Sequence, residues 1–111
     1  MAGKTLLIQG EGLGSGDHQL GQMLMANFLR LLGESEKKPA SIVFWNTGVK
    51  LVAPDSQVLD HLKRLEGQGV EILACTTCLE YFDLKEKIAV GKATTMIKSI
   101  ASMLGGDVVS L

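Results

Sequence analysis

The sequence predicts an α/β domain: a three-layer α/β/α sandwich around a mainly parallel sheet of four or five strands. Two observations carry this. Short continuous apolar runs, Leu6-Leu7-Ile8, Ile42-Val43-Phe44-Trp45 and the run from Val70 to Cys75, alternate with segments whose apolar residues recur at helical spacing. The runs also lack the in-out alternation of a half-solvated strand, so both faces of the sheet should be covered. Strands alternating with helices imply right-handed βαβ crossovers. At 111 residues the chain reads as one domain, 1–111, long enough to bury its own core.

The elements follow in order. Strands are expected near 4–10, 40–46, 69–75 and 107–110, with a short one near 88–90. After the first strand, Gly10, Gly12, Gly14 and Gly16 form a loop, and Asp17 opens a helix with Leu20, Leu24, Phe28 and Leu31 as its apolar stripe. The loop lacks the Gly-Lys-Ser/Thr of a P-loop and the third glycine of a dinucleotide fingerprint, and Glu11 and Asp17 would repel phosphate. It reads as a tight turn. Glu34 to Pro39 is a solvated connector, and Pro54-Asp55 should start a helix with Val58, Leu62 and Leu65 inward. His61 reads as a half-buried residue of that helix. Asp83-Leu84-Lys85-Glu86 has capping-box spacing and predicts a short helix. Thr94 or Thr95 should cap a last helix with Met96, Ile97, Ile100, Ala101 and Leu104 on its core side, stopped by Gly105-Gly106.

Both cysteines, Cys75 and Cys78, lie at the end of the third strand and just after it. The carboxyl edge of a parallel sheet is where α/β proteins bind ligands, so a thiol there is placed for chemistry. Thr76 or Thr77 can cap the following turn, whose backbone N–H groups would favour a thiolate on Cys75. Cys75 is therefore expected to be the accessible nucleophile, alkylated before Cys78. The same edge should gather the glycine loop and the segment Asn46 to Lys50. Gly14, Gly16, Asn46 and Lys50 are the candidate substrate-binding residues, with Lys50 offering a positive charge to the thiolate and His18 a proton carrier. Two cysteines and two distant histidines make no four-ligand zinc pattern, so neither a metal nor another cofactor is expected.

Eleven basic and twelve acidic residues, with no basic stripe, argue against a nucleic-acid partner. No apolar run approaches the length of a membrane span, and the run Leu6-Leu7-Ile8 near the start is too short for a signal-peptide core, so a cytoplasmic protein with reduced thiols is expected. A hydrophobic fraction of 46% predicts a homo-oligomer, a dimer or trimer, that covers apolar surface; Met23, Met25, Met96 and Met103 read as core or interface filler.

Four blocks together resemble the DsrE/DsrF-like family, and within it most closely the C-terminal domain of YedF-type, sulfurtransferase-like proteins linked to selenium metabolism. They are Gly14-x-Gly16-Asp17-x-x-Leu20-Gly21, Asn46-x-Gly48-Val49-Lys50-Leu51, Gly69 to Leu79 with its C-x-x-C, and Leu84-Lys85-x-Lys87-x-Ala89-Val90-Gly91. The resemblance implies a sulfur-relay protein that carries sulfane sulfur, or selenium, as a persulfide on Cys75, with protein donors and acceptors. Cys78 matches the YedF-type pattern alone. YedF-type proteins carry an N-terminal TusA-like domain, and this sequence starts at the DsrE-like part. A second reading is a non-enzymatic oligomeric module in which Cys75 and Cys78 form a redox-sensing pair.

Overall fold

The computed structural model describes residues 3–111. Five strands form one sheet: β1 (Thr5–Ile8), β2 (Ser41–Phe44), β3 (Glu71–Cys75), β4 (Lys92–Thr94) and β5 (Val108–Ser110). Every pairing is parallel and the order is β4-β3-β2-β1-β5. Four α-helices accompany them: α1 (His18–Glu34), α2 (Leu59–Gly67), α3 (Thr76–Tyr81) and α4 (Met96–Leu104). A 3₁₀ segment, Asn46–Val52, follows β2. The α/β class with a parallel sheet of five strands is as expected from the alternating runs.

The chain steps from β1 to β2, β3 and β4 in one direction, then returns across the whole sheet to β5. The first three helices therefore share one face, and α4 alone serves the other. The main core has Leu6, Ile8, Ile42, Phe44, Ile72 and Ala74 of the sheet against Met25 and Leu29 of α1, Leu62 and Leu65 of α2 and Leu79 of α3. On the opposite face Leu7, Val43 and Leu73 pack with Trp45 and Met103 of α4.

Several sequence expectations change. The Asp17 carboxylate accepts the Leu20 N–H, as a cap should, but the buried ridge of α1 is Gly21, Met25, Leu29 and Gly33. Leu20, Leu24 and Leu31, expected inside, are exposed. The reason is close approach: a Cβ on Gly21 would lie 3.1 Å from the Leu13 carbonyl oxygen, so the glycine ridge, rather than the leucines, lets the preceding loop fold onto the helix. α4 is likewise turned over. Thr95 caps it through the Lys98 N–H, yet Ser99 is its buried residue while Met96, Ile97, Ile100 and Leu104 face outward.

α2 starts at Leu59, not at Pro54, because residues 46–52 wind into the 3₁₀ segment and 53–58 form turns closed by Ser56 N–H to the Ala53 carbonyl. His61 is half-buried in it. No helix starts at Asp83: that residue takes a left-handed φ of 56° and closes α3, its N–H donating to the Glu80 carbonyl. The strand expected near 88–90 lies instead at Lys92–Thr94, since Ala89 donates its N–H to Val52 of the 3₁₀ segment and not to the sheet. Among the described residues no helix is long and apolar enough to cross a membrane.

Candidate functional site: a thiol cleft at the carboxyl edge of the sheet

β3 is buried from Ile72 to Cys75 and passes without a linker into α3. Cys75 is thus both the last strand residue and the helix cap, but no side-chain capping bond forms there. Thr76, expected to cap the turn, donates its hydroxyl to the Thr94 carbonyl and ties α3 to β4 instead. This handover carries Cys75 inward, to 2% exposure within the main core. The accessibility expected of Cys75 is therefore absent. Three residues on, one turn of α3 brings Cys78 out into a cleft of about 510 Å³.

That cleft is mostly apolar. Trp45, Tyr81, Phe82 and Met96 line it, with Gln9, Asn46 and Thr77 as polar members. Tyr81 and Phe82 meet edge to face, ring centroids 5.1 Å apart. The Trp45 indole N–H is buried without a hydrogen-bond partner.

Asn46 supplies the main polar contact to the sulfur. Its backbone N–H donates to Cys78 Sγ at 3.1 Å, an aim set by a left-handed φ of 53° that asparagine tolerates better than most residues. Gly48 makes the approach possible, because a Cβ there would sit 2.6 Å from the Ile8 carbonyl oxygen. Burial pushes the Cys78 thiol above its ordinary pKa. The Asn46 N–H pulls the other way, and the neighbouring Cys75 adds to the rise through a hydrogen bond and through charge. The two free thiols differ in access, one buried and one facing the cleft.

The other expected binding residues separate. Asn46 joins the thiol. Lys50 lies beyond the Phe82 ring, its Nζ 4.7 Å from the ring centroid, and faces a second cavity. Gly14, Gly16 and His18 line a third depression of about 260 Å³ that contains neither cysteine, so they do not converge on the thiols. The glycine loop is pulled away by the Leu13 N–H bond to the Gly21 carbonyl, which folds it over α1. Trp45, Tyr81, Phe82 and Met96 were not singled out from the sequence as site residues. For two of them the spacing held a signal, since Tyr81 and Phe82 stand three and four residues after Cys78 and share its side of a helical turn.

No family model matches this sequence, nor does any curated protein. Solved structures do resemble the fold. The ychN protein from E. coli matches with a TM-score of 0.77 at 16% identity, and MTH1491 from Methanobacterium thermoautotrophicum, a protein of unknown function, with 0.70 at 19%, each over 100% of both chains. BT1422 from Bacteroides thetaiotaomicron, a conserved protein of unknown function, matches at 0.63 and 23% identity over 96% of this chain and 94% of its own. At these identities the likeness is one of fold: this chain has the same α/β architecture as those three proteins.

Proposed function

We propose that this chain is a sulfur-relay protein of the DsrE/DsrF-like type, related to the YedF-type domains, that stores sulfane sulfur or selenium as a persulfide on Cys75. The observation that carries this reading is the thiol pair at the carboxyl edge of the sheet, with Cys78 opening into the aromatic cleft and Cys75 buried beside it. Access and storage then fall to different residues. The Cys78 thiolate attacks the outer sulfur of a donor persulfide; the donor S–S bond breaks and its thiolate leaves. Cys75, as thiolate, next attacks that outer sulfur, forming the Cys75 persulfide and returning Cys78 as thiolate. Each step is an exchange of one S–S bond for another, with no net oxidation. The apolar wall keeps water from the reactive sulfur.

Partners in this reading are a protein donor and a protein acceptor in the cytoplasm. The outward face of α4, with Ile97 at 81% and Leu104 at 84% exposure, is the surface for homo-oligomerisation as a dimer or trimer. A second reading, a redox-sensing pair, is favoured by the same two free thiols three residues apart, which would need only the loss of two electrons to an oxidant to become a disulfide.

Whole-protein mass spectrometry after incubation with a cysteine desulfurase and cysteine separates the two. Wild type should gain one sulfur. Cys78→Ser should load slowly, because the remaining thiol is buried, and Cys75→Ser should lose its sulfur rapidly to added thiol. Equal, stable loading of Cys75→Ser would remove Cys75 as the store. No loading of any form, with a reversible 75–78 disulfide, would support the sensor instead.

A further inference from the structure

The second cavity, about 440 Å³, lies on the other side of Phe82 from the thiol cleft. Three charged side chains of opposite sign line it: Glu11 from the glycine loop, Lys50 from the 3₁₀ segment and Asp55 from the turn before α2. Among the described residues none of the three makes an ion pair. The Lys50 ammonium rests on the Phe82 ring, which holds it in place while leaving its charge without a carboxylate partner. Leu51, Val58 and the Phe82 ring supply an apolar wall. Its volume suits a small molecule.

The geometry points to a binding site for a free α-amino acid with an apolar side chain. Lys50 receives the carboxylate, Glu11 and Asp55 receive the ammonium, and the side chain lies on Leu51, Val58 and Phe82. Opposite charges that line one cavity without pairing with each other fit a zwitterion better than a simple anion or cation, because each end of the ligand completes a charge-assisted hydrogen bond. The site uses neither cysteine and stands independently of the sulfur-relay reading.

The test is a titration of the ¹⁵N-labelled protein with L-methionine, followed by backbone amide shifts. Two analogues that each keep one charge, 3-(methylthio)propylamine and 4-(methylthio)butanoate, serve as controls. L-Methionine should shift amides around Glu11, Lys50 and Asp55, and each analogue should bind at least about tenfold more weakly, as expected for the loss of a charged hydrogen bond. Lys50→Met should weaken L-methionine without weakening the amine analogue. Asp55→Asn, an exposed and conservative change, should weaken L-methionine without weakening the carboxylate analogue. Equal binding of either analogue and L-methionine, shifts confined to the thiol cleft, or no shifts at millimolar L-methionine would overturn the assignment. Because the readout needs no persulfide, it is unaffected by the outcome of sulfur loading.

Discussion

The two faces of the sheet are built unequally. One carries α1, α2 and α3 and encloses the main core, with Met25, Leu29, Leu62, Leu65 and Leu79 all at 0% exposure. The other carries α4 alone over Leu7, Val43 and Leu73, where Met103 packs on the sheet while Met96, Ile97, Ile100 and Leu104 of that helix are exposed. The thiol cleft opens at the seam, with Phe82 contributed from just after α3 and Met96 from the first turn of α4. The difference teaches that one face supplies most of the buried core while the other leaves apolar area exposed, and that the open thiol of Cys78 sits where the two meet.

The sharpest test is a pair of truncations. Leu62→Ala on the closed face should cost about 3 kcal/mol in chemical denaturation, a transfer loss plus a cavity. Ile97→Ala on α4 should change monomer stability by no more than about 0.5 kcal/mol. Similar costs for both would erase the contrast. Next in size, Gly48→Ala should lose about 2 kcal/mol, because its Cβ meets the Ile8 carbonyl oxygen, and should slow alkylation of Cys78 at neutral pH by displacing the Asn46 N–H.

Charging α4 with Ile97→Glu and Leu104→Lys should shift sedimentation toward smaller species with little loss of monomer stability. An unchanged sedimentation profile would detach the exposed face from self-association.

The smallest effect is electrostatic. The thiolate is the reactive form and the Cys78 pKa is raised, so its alkylation rate should still be climbing at a pH where an ordinary thiol has levelled off. Cys75→Ala removes a hydrogen bond and a charge that both raise that pKa, and the profile should move to lower pH. Movement to higher pH would mean that Cys75 does not raise the Cys78 pKa.

The sequence by itself determined the class of the fold and the places of most elements. Continuous apolar runs can be satisfied only by strands covered on both sides, and Asp17, Thr95 and Gly105 mark helix ends through local hydrogen bonds that need no distant partner. The C-x-x-C at the end of a strand was legible for the same reason. Only the tertiary structure decided which stripe of α1 and α4 is buried, that the glycine loop leaves the thiols, and that Cys75 is enclosed while Cys78 is open. α1 carries apolar residues on more than one side, so periodicity offers several faces, and the choice among them depends on which surface a partner 30 or more residues away can approach, as Arg64 of α2 does at Gly33. The exposure of a thiol is decided in the same way, by strand order and by long-range neighbours such as Asn46, whose contact with Cys78 spans 32 positions of sequence.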